Sequence, residues 1–151
     1  MRVTKYSVEI GDDGRNVLVK ESARNCGEIS GGIDCKEKVK TLLDTMFRAS
    51  YQAEEYVWLI ALNTKLKPLG VFEVSHGTVD SAHIAPREIF VRLLLCGATE
   101  FIVAHNHPSG DTTPSDEDIN MTMRISECAK LIGLRFLDHV ILGESVFSLC
   151  N

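Results

Sequence analysis

Apolar and polar residues alternate over residues 3–9 and again over 16–21, on either side of Gly11-Asp12-Asp13-Gly14. That pattern predicts a β-hairpin with an Asp-Gly turn. Ser22 to Gly32 carries three glycines and no period, so it reads as a linker. From Asp34 the period becomes helical: Val39, Leu42, Leu43, Met46 and Ser50 share a face, and Asp34 can cap with Glu37 three residues on. An amphipathic helix of about four turns is expected there. Glu55 to Asn63 is a mostly apolar run suited to a central strand. Leu69 to Ser75 is a second strand, reached through the turn Thr64-Lys65-Leu66-Lys67-Pro68.

Pro86 opens the next predicted helix, with Ile89, Phe90, Leu93 and Leu94 as its buried face and Gly97 as its end. Glu100 to His107 predicts a strand that runs into the turn-forming loop Pro108-Ser109-Gly110-Asp111. Thr113 as cap, Pro114 at the first helical position, and Asp116 and Glu117 at the positive end predict a helix to about Ile132, closed by Gly133. Arg135 to Leu142 and Val146 to Cys150 flank Gly143-Glu144-Ser145 as a last hairpin. Helices and strands alternate, with no internal repeat, which is the pattern of an α/β domain.

Composition narrows this picture. A chain of 151 residues, 44% hydrophobic, is one domain rather than two. Folding buries roughly 70% of the surface of a chain this long, so neither disulfide nor metal is needed for a core. The five cysteines (Cys26, Cys35, Cys96, Cys128, Cys150) form no Cys-x-x-Cys pair, which argues against a disulfide framework and against a cysteine zinc site. They read as reduced thiols. No apolar run reaches the roughly 18 residues of a membrane span, and Met1 to Tyr6 lacks the apolar core of a signal peptide, so a cytoplasmic protein without membrane contact is expected. With 16 basic and 21 acidic residues, the net charge of -5 gives no general attraction to nucleic acid. Lys36, Lys38 and Lys40, alternating with Glu37, read as a solvated helix face.

Candidate chemistry concentrates between Phe101 and Asp118. On a strand, His105 and His107 project to one face and Asn106 to the other, which makes a pair of imidazole ligands available. On the following helix, Ser115 and Asp118 lie about 60° apart, and Met121, Ile125, Cys128, Ala129 and Ile132 all fall within about 80° of Asp118. Asp118 is therefore on the inward stripe, and Asp116 faces water. A buried carboxylate demands a cation or donors. Two histidine nitrogens and one aspartate oxygen leave one tetrahedral position of Zn²⁺ open, as in catalytic zinc sites. The plainer reading stands beside it: His-x-His pairs occur by chance at turns, and an Asp near a helix start often serves as cap or dipole partner.

His105-Asn106-His107-Pro108-Ser109-Gly110-Asp111, followed by Pro114, Ser115 and Asp118, resembles the JAMM motif of JAB/MPN metalloproteases. It is closest to the RadC branch, whose motifs are also matched by Gly77-Thr78-Val79-Asp80, Pro86-Arg87-Glu88 and Leu137-Asp138-His139. The similarity spans residues 35 to 151, and the first thirty resemble nothing recognised. It implies an α/β, cytidine-deaminase-like (JAB/MPN) mixed sheet flanked by helices: residues 1–32 as N-terminal hairpin and linker, 33–151 as the RadC-like domain. It also implies one Zn²⁺ held by His105, His107 and Asp118, Glu55 as proton acceptor and donor, and Ser115 as donor to a developing oxyanion. Glu54, Glu73 and Glu88 are competing carboxylates, and Glu54 is one residue from the aligned position.

The remaining candidates read as structural. His76 and His83 have no partner at ligand spacing. His139 suits a hydrogen-bonded core or ligand-supporting role, Trp58 suits the core, and Ser115 also serves as a plain helix N-terminal polar residue. The leading expectation is a zinc hydrolase of peptide or isopeptide bonds, with a peptide or protein as substrate. The alternatives are a DNA-repair or mobile-element accessory protein and a metal-dependent nuclease, since an activated water attacks phosphorus as well as carbon.

Overall fold

In the computed structural model, which describes residues 1–77 and 84–150, the chain forms one mixed sheet with helices on both faces. The strands are β1 (Arg2–Ile10), β2 (Asn16–Asn25), β3 (Tyr56–Leu62), β4 (Pro68–His76), β5 (Glu100–Asn106), β6 (Arg135–Leu142) and β7 (Val146–Ser148). The helices are α1 (Lys36–Phe47), α2 (Pro86–Leu95) and α3 (Asp116–Ile132). The sheet order is β2-β1-β4-β3-β5-β6-β7, with β1–β4 and β5–β6 parallel and the other pairs antiparallel. This is the mixed α/β sheet that the sequence implied, and the N-terminal hairpin joins it through β1. Among the described residues no helix is long and apolar enough to cross a membrane.

Because side chains alternate along a strand, the two faces of β3 and β5 feed two cores. Trp58, Ile60, Leu62, Ile102 and Ala104 face α1, where Val39, Leu42, Leu43 and Met46 meet them. Val57, Leu59, Ala61, Phe101 and Val103 face α2 and α3, meeting Ile89, Leu93, Ile125 and Ala129. Burial on both faces explains why β3 reads as a continuous apolar run. The same alternation sends His105 toward α3 and Asn106 toward α1.

Several boundaries differ from the sequence reading. β2 runs on to Asn25, and Cys26, Ile29 and Ile33 are buried in the α1-side core, so much of the expected linker is packed structure. Polar Lys20 to Asn25 hides a strand because β2 is the outer strand, with few inward positions to reveal an alternation. At α1 the cap position is Cys35, which makes no side-chain cap bond, while Asp34 instead pairs with Lys38 at 2.8 Å. The helix stops at Phe47: Arg48 turns left-handed at φ 56°, and Ser50 lies in the short 3₁₀ turn Ala49–Tyr51, bonded to Asp44. Leu94 points outward at 59% exposure, and Ile132 is 44% exposed, so both inward stripes are narrower than expected. α3 begins at Asp116 with Ser115 as cap, because Thr113 is held to Asp111 through both its N–H and its hydroxyl.

Candidate metal centre

β5 ends with its α3-facing series Phe101, Val103, His105, and one further ladder bond, His107 N–H to the Leu142 carbonyl at 2.8 Å, carries the strand direction to His107. α3 begins nearby with a capping box: the Ser115 hydroxyl accepts from Asp118 N–H at 3.1 Å, and Ser115 N–H donates to Asp118 Oδ2 at 2.8 Å. That reciprocal pair fixes the Asp118 carboxylate at the positive end of the helix. It also turns Asp118 inward, at 6% exposure.

The three ligand atoms converge. His105 Nε2 lies 2.9 Å from His107 Nε2 and 3.1 Å from Asp118 Oδ1, and His107 Nε2 lies 3.5 Å from Asp118 Oδ2. Zinc–ligand bonds of about 2.0–2.1 Å at tetrahedral angles put ligand atoms about 3.3 Å apart, so the cluster has the dimensions of a zinc site. Among the described residues these three are the group of histidines and carboxylates able to hold a metal ion.

The other ring nitrogens are also committed, and donor counting assigns the tautomers. Thr122 Oγ1 donates its proton to the Asp118 carbonyl at 2.7 Å, so at 2.6 Å it accepts from His139 Nδ1–H. His139 Nε2 is then the acceptor for His105 Nδ1–H at 2.8 Å, which leaves the His105 Nε2 lone pair for a metal. His107 Nδ1–H donates to the Asp111 carbonyl at 2.7 Å, with the same consequence for its Nε2. The sequence pointed to a hydrogen-bonded role for His139. Thr122 was missed, and its signal was its place one turn after Asp118.

Electrostatics follow this geometry. Burial acts to raise the Asp118 pKa, but in the metal-free cluster the contacts with His105 and His107, which donate to it only when protonated at Nε2, outweigh burial and hold the carboxyl far below the ordinary range. The bond to Asp118 raises the His107 pKa against the opposing effect of burial. Burial, reinforced by His105, pushes His139 down to about 3, so it stays neutral.

Glu55 and Glu54 part company here. Glu55, just before β3 and half-buried, has its pKa raised by burial, against the lowering influence of His105 and His107, and it stands two residues before Val57, the β3 partner of His105. Glu54 is exposed and pairs with His76, whose ring stacks on Tyr56 at 4.3 Å. The Ser115 hydroxyl donates to Asp118 Oδ2 at 2.8 Å and so buttresses a ligand. Glu73 and Glu88 take part in ion pairs with Lys5 and with Arg87 and Arg92. His83 and the segment Thr78-Val79-Asp80 lie outside the described residues. Asn106 is a residue sequence reading left without a role. It is 3% exposed and bonded to the backbone of Glu54 and Tyr56.

Beside the ligands, the Pro108–Asp111 loop rests on the β6–β7 turn, where Glu144 N–H donates to the Gly110 carbonyl at 2.9 Å. A Cβ on Gly143 would meet that carbonyl oxygen at 2.4 Å, so the approach requires glycine.

A family model described as the RadC-like JAB domain matches residues 33–151, the part of the chain that carries every element of this centre. The chain belongs to the RadC-like JAB family. It is similar to a UPF0758 protein from Clostridium tetani, at 49% identity over 94 residues, covering 62% of this chain and 41% of the relative. A Clostridium botulinum UPF0758 protein is 43% identical over 114 residues, covering 73% of this chain and 50% of the relative. The chain thus spans half the length of these curated relatives or less. For a RadC-like JAB domain, the His105-His107-Asp118 cluster stands where a JAMM-type metal site is expected.

Proposed function

We propose that the protein is a zinc-dependent hydrolase of the JAMM type that cleaves a peptide or isopeptide bond. One observation carries the reading: two imidazole Nε2 atoms and a carboxylate oxygen converge at zinc dimensions beside a half-buried glutamate. Membership in a JAB family, which includes metallohydrolases, supports it. The N₂O donor set suits zinc, and His105, His107 and Asp118 would hold it. When bound, the metal supplies an acidified water and a Lewis-acid contact for the scissile carbonyl.

The chain's own groups do the rest. Glu55 takes the proton at its carboxylate and returns it to the leaving amine; burial, which raises its pKa, favours its holding that proton between the two steps. Ser115 donates to the developing oxyanion by turning its hydroxyl away from Asp118 Oδ2. His139 and Thr122 hold His105 in the ligating tautomer. The same reading puts the protein in the cytoplasm, where its free cysteines stay reduced.

The test uses a fluorogenic isopeptide substrate, a peptide carboxyl joined to a lysine ε-amine. Glu55→Gln is expected to keep about one zinc per chain and lose turnover by a factor on the order of 100 or more. Turnover that persists undiminished in Glu55→Gln overturns the assignment of Glu55. Hydrolysis of a phosphodiester in place of the isopeptide favours the nuclease alternative.

A further inference from the structure

We infer that Asn106 is the positioning residue for Glu55, an assignment that rests on the reading of Glu55 as the proton acceptor. β3 and β5 pair from Leu62↔Glu100 to Val57↔His105, and the next rung would set Tyr56 against Asn106. At that rung a side chain takes over from the ladder. Asn106 Oδ1 accepts from Tyr56 N–H at 2.8 Å, and Asn106 Nδ2 donates to the Glu54 carbonyl at 2.9 Å. The residues before and after Glu55 are therefore held by a single carboxamide. Gly77 N–H, donating to the Glu55 carbonyl at 2.9 Å, secures the same segment from the β4 side.

The placement of Asn106 gives these bonds their meaning. It stands between His105 and His107 on one strand and points to the opposite face, so the segment that presents the two imidazoles also anchors the backbone of the base. At 3% exposure its carboxamide has little water to fall back on, so both bonds are specific to these partners. The pairing needs a donor and an acceptor on one short side chain, which a carboxamide has and a carboxylate or isobutyl group lacks. Aspartate keeps the acceptor for Tyr56 N–H but sets an oxygen against the Glu54 carbonyl, and leucine keeps only the shape. Reaction rates are sensitive to such placement, since a displacement of about 1 Å at the reacting group costs on the order of 100-fold.

The experiment compares wild type, Asn106→Leu, Asn106→Asp and Glu55→Gln, together with the Asn106→Leu/Glu55→Gln double variant. Zinc content, Tyr56 amide hydrogen exchange and hydrolysis of the fluorogenic isopeptide are read for each, with crystal structures of both Asn106 variants. The expected result is about one zinc per chain throughout, with fast Tyr56 exchange in Asn106→Leu and slower exchange in Asn106→Asp. kcat should fall on the order of 100-fold in Asn106→Leu at unchanged KM, and the double variant should be no slower than Glu55→Gln alone. Three outcomes overturn the assignment: Tyr56 exchange unchanged in Asn106→Leu, zinc lost from a folded Asn106 variant, or a double variant whose loss is the product of the single losses. If Asn106→Leu does not fold, Asn106→Asp decides, since a Glu55 side chain unmoved in its crystal structure at full kcat also overturns it. If wild type itself binds no zinc or cleaves nothing, the functional reading fails. The Tyr56 exchange and the Glu55 position in the variant structures then still decide whether Asn106 sets that segment.

Discussion

The two faces of β5 solve opposite problems with alternate residues of one strand. Toward α1, Ile102 and Ala104 join Trp58, Leu42 and Leu43 in a core so apolar that the buried Trp58 Nε1 has no hydrogen-bond partner among the described residues. Toward α3, Phe101 and Val103 begin in the same way, but the series ends in His105, and α3 answers with Asp118 and Thr122 while β6 brings His139. Each of those buried polar groups is partnered by another in the cluster. The first face is made for stability, except where its own series ends in the buried Asn106, which holds the backbone on either side of Glu55. The second gives up apolar area at one end and recovers it through hydrogen bonds, leaving two nitrogens and a carboxylate aimed at a common point.

If that division is real, stability and metal binding should separate by face. The largest effect expected is from Leu43→Ala, which empties a fully buried position on the α1 side. It should cost roughly 3 kcal/mol in a denaturant titration, while the folded variant still binds zinc. Loss of zinc from that folded variant would mean that the faces are coupled.

His139→Phe tests the other side. It removes the acceptor for His105 Nδ1–H, so zinc affinity in a chelator competition should fall about 10–100-fold. pH sharpens the point. The folded His139 pKa of about 3 lies below the unfolded value of about 6.5, so the unfolded chain binds more protons between them. Stability contributed by the neutral ring is present above about pH 6.5 and declines as pH falls toward 3. His139→Phe should therefore lose less stability than wild type between about pH 7 and 5. An equal loss in both would contradict the buried neutral imidazole. Zinc affinity should also weaken as pH drops, beginning above the ordinary histidine value because Asp118 raises His107, and a pH series of the chelator competition measures it.

The smallest effect is at the helix start. Ser115→Ala removes the cap of α3 and should lower stability by about 1 kcal/mol in thermal melts. It should also weaken zinc binding slightly by freeing Asp118. A Ser115→Ala protein with wild-type stability would show that the capping box contributes nothing.

Much of the centre was legible because its residues are close in sequence. His105 and His107 share a strand face by simple alternation, and Asp118 lies on the inward stripe of the next helix. The alternation of strands and helices was readable for the same local reason. What escaped depends on partners far along the chain. Asn106 meets Glu54 and Tyr56 across about 50 residues, and no periodicity links them. Thr122 has meaning only once β6 places His139 above it. The start of α3 was misjudged because Pro114 suits a first helical turn, yet Asp111 holds Thr113 in a turn of its own and hands the cap to Ser115. Leu94 was assigned inward on hydrophobicity alone, which does not tell a narrow stripe from a wide one.

The most direct measurement is zinc per chain in wild type beside His107→Ala, both purified without added metal or chelator and both confirmed folded. About one zinc in wild type and almost none in His107→Ala is the expected result, because the α1-side core folds the domain without the metal. Negligible zinc in both, persisting after zinc is offered, would contradict a metal centre at His105, His107 and Asp118.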